Sequence, residues 1–120
     1  MRSSSRRPEQ VAETVRQVLS EAFARDEVRD PRVGPVTITG VRVTNDLSHA
    51  QILVIVSGDE SARARALEGL GSAARFLRGR VARALTTRTV PELHFELDRG
   101  QEHAQRIEGL LGEIRREGGG

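Results

Sequence analysis

Apolar residues recur at helical spacing from the first proline onward: Val11, Val15, Val18, Leu19, Ala22 and Phe23 share one side of a helix. Pro8 suits a first helical position, where its missing N–H is no loss. The pattern predicts an amphipathic helix from about Pro8 to Arg25. Asp26 to Pro35 then holds two prolines and a glycine, and the proline of Asp30-Pro31-Arg32 keeps the residue before it out of a helix. This stretch reads as a loop leading into β structure.

Beyond it the period falls to two. Val36 and Ile38 alternate with threonines, then Gly40 shifts the apolar set to Val41 and Val43, which requires a bulge or bend. Asn45-Asp46 begins a turn, and Ala50 to Val56 is aliphatic and β-branched enough for a well-covered strand. The two strands are expected to form an antiparallel hairpin.

Ser57-Gly58-Asp59 breaks the second strand and supplies capping groups for a helical region starting near Glu60. Ala66, Leu67, Leu70, Ala73, Ala74, Leu77, Val81, Ala84 and Leu85 fall on one face of it, but Phe76 lies about 120° from the centre of that stripe. Burying Phe76 requires a second packing surface or a bend near Ser72 to Arg75. A kink giving two consecutive helices is expected. Val90-Pro91 marks the next boundary, and Leu93, Phe95 and Leu97 alternate with His94, Glu96 and Asp98 in a third, half-buried strand. Gln101 to Arg116 carries Ile107, Leu110, Leu111 and Ile114 at helical spacing, ahead of the flexible Gly118-Gly119-Gly120 end.

The resulting order is α-β-β-α-α-β with an appended C-terminal helix. It predicts an α+β fold with a three-stranded sheet covered by helices on one face. This is also the order of the type II KH domain, an RNA-binding module. Residues 1–7 read as a flexible basic arm, 8–116 as a single KH-like domain that includes the terminal helix, and 117–120 as a flexible tail.

Composition narrows the possible chemistry. The chain has 120 residues, enough for one self-sufficient domain. It has no cysteine, which removes disulfides and thiolate sites. No stretch suits a membrane span or a signal peptide, so a cytoplasmic protein without a membrane partner is expected. All 19 basic residues are arginine, which excludes lysine-dependent catalysis and leaves the side chain best suited to forked phosphate contacts. The net charge is only +2, yet it is segregated: Arg63 to Thr89 holds seven arginines against one acid, Glu68, for +6, and the remainder carries −4.

Several motifs occur in the order seen in the ribosome-binding factor A family. They are Asp30-Pro31-Arg32 after the opening helix, Val43-Thr44-Asn45-Asp46-Leu47 ahead of Ala50, Phe76-Leu77-Arg78, and Val90-Pro91-Glu92-Leu93-His94-Phe95 with Asp98. The chain resembles that family from roughly Arg7 to Ile114. The resemblance implies a KH-like fold without catalysis. It also implies transient binding to the immature small ribosomal subunit and its ribosomal RNA, help with late RNA processing, and a link to growth in the cold. The family's usual Ala-x-Gly kink corresponds here to Ala73-Ala74-Arg75, with arginine where glycine is usual. A shallower kink, or one nearer Gly71-Ser72, is therefore expected.

The RNA-binding candidates are Arg75, Arg78, Arg80, Arg83 and Arg88, with Arg32 beside them and Arg65 able to share in the contact. Arg32 is first expected to serve the loop that stops the helix. Three phenylalanines are the whole aromatic complement, so recognition should rest on phosphate, 2′-hydroxyl and shape more than on base stacking. Glu92, His94 and Glu96 share a strand face by simple alternation and lack an evident third-segment ligand, so no metal site and no cofactor are expected. Gly109-Leu110-Leu111-Gly112 spells a nucleotide-clamp string, but its middle residues belong to an apolar helical stripe. No nucleophile is tied to a base, so no enzyme is expected. The chain is expected to act as a monomer. The alternative reading is a protein-interaction adaptor using the C-terminal amphipathic helix.

Overall fold

Alternation along β2 (His49–Val56) sets the architecture: Ala50, Ile52, Val54 and Val56 are buried, whereas His49 and Ile55 on the opposite face are exposed. A strand so one-sided must be roofed on one face only. The computed structural model describes residues 8–100, and within them the roof is α1 (Pro8–Ala24) and α2 (Glu60–Ala84). The sheet is completed by β1 (Val36–Val43) and β3 (Glu92–Leu97). Its order is β1-β2-β3, with β1 antiparallel and β3 parallel to the central strand. The expected basic arm, terminal helix and glycine tail lie outside the described residues.

The shift of apolar parity at Gly40 is realised as a bulge. Ile38 pairs with Val54 and Gly40 with Leu53, which leaves Thr39 as the extra residue. The freed Thr39 hydroxyl donates to the Asp98 carboxylate just past β3. Asp98 in turn donates its main-chain N–H to the Val54 carbonyl at 2.7 Å. A single bulge therefore helps tie the outer strands across the middle one.

The hairpin turn is held by Asp46, whose Oδ1 accepts from the Thr44 and Ser48 hydroxyls, each at 2.7 Å, and from the Ser48 N–H at 3.1 Å. These bonds keep the Asp46 carboxyl down to about 2, with a smaller contribution from the nearby charge of His49. They also hold Leu47 in a left-handed conformation, φ 65°, that a leucine adopts only when its surroundings enforce it. The Leu47 side chain packs against the core.

The central helical region departs from expectation, because one uninterrupted helix replaces the anticipated kinked pair. Ala73 and Ala74 are partly buried against the core, and Arg75 and Phe76 are exposed. Alanine and arginine are strong helix formers, so Arg75, where the resemblance implies glycine, favours continuity. Leaving one ring half-exposed forgoes only ~1 kcal/mol, whereas a break would release several backbone hydrogen bonds worth ~1 kcal/mol each. Asp59 caps the helix start, accepting from the Ala62 N–H at 2.8 Å, and Gly58 before it sits at φ 116°, where a side chain would be strained.

One glycine on α2 governs packing. A methyl group on Gly69 would meet Val33 Cγ2 at 2.5 Å and both Arg32 Cβ and Asp30 Cγ at 3.3 Å, whereas one on Gly71 or Gly79 would meet nothing within 4 Å. Gly69 is thus the place where the Asp30–Val33 loop rests on the helix. Gly71→Ala and Gly79→Ala should each stabilise the fold by up to about 1 kcal/mol through helix propensity. Gly69→Ala should instead lose about 1 kcal/mol or more, because overpacking outweighs that gain. Urea unfolding of the three variants checks this ordering.

Candidate nucleic-acid interface

The loop that rests on Gly69 is built by a carboxylate and a guanidinium two residues apart. Asp30 Oδ1 accepts from the Arg32 N–H at 2.9 Å and from Arg32 Nε at 3.0 Å, and Oδ2 accepts from Nη2 at 2.6 Å. Pro31 between them stiffens the turn that permits this fork. Arg32 also reaches α2, donating from Nη2 to Ser72 Oγ at 3.2 Å and placing Nη1 3.8 Å from Glu68. The Arg32 hydrogen bonds, the side-chain ones foremost, hold the Asp30 carboxyl down to about 2. Arg32 is therefore the bolt between loop and helix, and its charge is largely balanced.

The other five candidate arginines divide into two groups. Arg78 donates from Nη2 to the Val90 carbonyl at 2.8 Å and from Nε to the Val90 and Pro91 carbonyls at 3.3 Å, fastening the segment that leads into β3. Arg80 places Nη1 2.5 Å from Glu27 Oε1, an oxygen closed off from solvent whose charge this contact balances. Arg75, Arg83 and Arg88 are exposed and have no ion pair or hydrogen bond among the described residues. The same is true of Arg65.

Helical phase aligns these free groups. Arg65, Ser72, Phe76 and Arg83 follow one another at separations of seven, four and seven residues, which returns each to nearly the same side of α2, with Arg75 adjoining. Phe76 is 48% exposed, so the stripe carries one accessible ring among unpaired guanidinium groups. Phe23 and Phe95 pack against the core. Pro31, Arg32, Gly34, Pro35, Ser57 and Arg65 line a shallow groove at the N-terminal end of the stripe. The arrangement can hold several phosphates and stack one base.

The model of the ribosome-binding factor A family matches residues 7–111. A ribosome-binding factor A from Rhodopirellula baltica is 44% identical over 114 residues, covering 95% of this chain and 82% of that protein. The chain belongs to the ribosome-binding factor A family. Among solved structures, the solution structure of a putative ribosome binding factor A from Thermotoga maritima matches with a TM-score of 0.66 at 28% identity, over 80% of this chain and 90% of that one. A Thermus thermophilus ribosome binding factor A, fitted as a homology model into a cryo-EM map of a 30S complex, matches with a TM-score of 0.58 at 29% identity, over 72% and 89% of the two chains.

Within this family fold, two features escaped the sequence pattern. The apolar stripe sets Phe76 apart and predicts a kink to bury it, whereas on the continuous helix its ring stays half-exposed. His49, an isolated histidine in the sequence pattern, brings its Nδ1 to 3.0 Å from His94 Nε2 on the open face of the sheet. A parallel register for β2 and β3 would have revealed the second, since it sets His49 opposite Glu92.

The Asp30 fork makes a measurable contribution to acid stability. Its carboxyl titrates lower in the folded chain than in the unfolded one, so the stabilisation is complete near neutrality and disappears as pH falls toward about 2. Thermal melts taken from about pH 5 to about pH 2 should show a shallower loss for Asp30→Asn than for the wild type. The variant should retain some slope, because Asp46 titrates in the same window.

Proposed function

We propose that this chain binds the immature small ribosomal subunit through its ribosomal RNA, using the outward side of α2. The observation that carries the reading is the stripe of unpaired arginines, Arg65, Arg75 and Arg83, around the exposed ring of Phe76, with Arg88 in the connection that follows. Arg32, Arg78 and Arg80 border this surface; the internal bonds of all three set its shape, and Arg78, whose partners are neutral carbonyls, adds its charge to the field. Family membership supports the choice of the small subunit, since the Thermus thermophilus relative was fitted into a 30S complex.

On this reading binding and release are the whole activity, with no chemical step and no cofactor. The protein acts as a cytoplasmic monomer that holds ribosomal RNA during late maturation and processing. The demand is greatest in the cold, when misfolded RNA rearranges slowly. Among the described residues no helix is long and apolar enough to cross a membrane. A phosphate-led surface also suits transient work, because its affinity responds steeply to ionic conditions.

Co-sedimentation of the purified chain with small subunits tests the proposal. Wild-type protein should pellet with subunits at low salt and be released as salt rises. Arg75→Glu combined with Arg83→Glu should weaken binding at least ~10-fold and lower the log–log salt slope by about 2. Phe76→Ala should weaken binding by about 1 kcal/mol without changing that slope. Binding untouched by the arginine reversal would reject this surface, and binding that survives nuclease digestion of the RNA would point to a protein partner.

A further inference from the structure

The face of the sheet turned away from the helices carries a second, separate cluster. Parallel pairing places His49 opposite Glu92 and Gln51 opposite His94, so a histidine from β2 and a histidine and a glutamate from β3 share one exposed patch. Alternation alone accounts for Glu92, His94 and Glu96 facing the same way. It does not account for the convergence of ring nitrogens. His49 Nδ1 and His94 Nε2 stand 3.0 Å apart, and one ligand atom from each of His49, Glu92 and His94 lies within 4.8 Å of the others.

From this geometry we propose that His49, His94 and Glu92 form a binding site for a late first-row divalent metal ion of the zinc class. Zinc bonds to imidazole nitrogen at about 2.0–2.1 Å with tetrahedral angles, which separates two such ligands by about 3.3 Å. The histidine pair is within a few tenths of an ångström of that spacing. The ring centroids are 5.1 Å apart and the planes tilt by 40°, so the rings meet at nitrogen edges and are not stacked flat. Two nitrogens this close are joined either by an N–H···N hydrogen bond, one ring donating and the other accepting, or by a metal ion that takes a lone pair from each.

The ligands sit on a stiff base. The His49 N–H donates to Thr44 Oγ1 at 3.1 Å and its carbonyl accepts from the Thr44 N–H at 3.0 Å, while the Glu92 N–H donates to the Ser48 carbonyl at 2.9 Å. Both strand starts are thus pinned by the turn that Asp46 organises, and the Asp46 carboxylate adds negative charge near His49. Glu96 is occupied, accepting from Gln51 Nε2 at 3.0 Å. The site therefore offers two nitrogens and one carboxylate, with a fourth position open to solvent. Imidazole with carboxylate favours zinc, nickel or copper over magnesium and calcium.

Titration calorimetry on the full untagged chain, stripped with chelator, tests the site with zinc chloride and with magnesium chloride as probes. One zinc ion per chain is expected, with no comparable magnesium heat. His49→Ala and His94→Ala should each weaken zinc binding at least ~10-fold, and Glu92→Gln should do so to a lesser degree. Both histidines are exposed, and circular dichroism verifies that the variants are folded. Imidazole resonances of wild-type His49 and His94 should shift together on zinc addition, which holds the proposal to account even if a variant fails to fold. Absence of zinc binding, zinc binding indifferent to both histidine substitutions, or unmoved His49 and His94 resonances would each overturn it.

Discussion

One-sided burial of the central strand is the constraint on which the rest depends. With Ala50, Ile52, Val54 and Val56 all turned the same way, both helices must lie on that side, and no polar or charged side chain of the described residues is buried with them. The opposite face carries His49 and Gln51 at one end of β2 and Leu53 and the exposed Ile55 at the other. Because β2 sits between β1 and β3, this asymmetry passes to both neighbours through register. The two proposed sites consequently lie on opposite sides of the domain: the arginine stripe on the outside of the roof, the histidine pair beneath the floor.

The arginines show how charge density and available charge differ. Counting places +6 between Arg63 and Thr89, but several of those guanidinium groups serve the fold. Arg78 fastens main-chain carbonyls, Arg80 balances a shielded carboxylate, and Arg32 from outside the segment bolts a loop to Ser72. The fork of donors suits them to this work. What remains available is a narrower stripe whose position is set by helical phase. The internal pairs brace the loop and helix beside it, so the free side chains project from a cross-linked surface.

Much of the fold was legible in the sequence because each element declares its own period. Even the bulge was visible, as the change of apolar parity at Gly40. The continuity of α2 was not, since the pattern placed Phe76 off the stripe but could not weigh one exposed ring against broken helical hydrogen bonds. At the candidate site the basic segment was legible, whereas its division into paired and free arginines was not. Glu27 meets Arg80 only because α1 and α2 pack together, and Gly69 admits Arg32 only because the loop folds back over the helix. The meeting of His49 with His94 likewise rests on a parallel pairing that local sequence does not encode.

That parallel pairing also bears on the order in which the domain assembles. The β1–β2 hairpin closes through a short turn, but joining β3 to β2 brings together residues about forty positions apart, and the entropy of that closure must be met before any contact rewards it. Formation of α2 shortens the effective loop and so lowers the entropic cost of docking β3. The strand with the largest closure to make is the one that carries His94 and Glu92. Without β3 the underside of the sheet has a single histidine and β2 has an unpaired edge; docking β3 completes the histidine pair and moves the open edge outward to β3 itself.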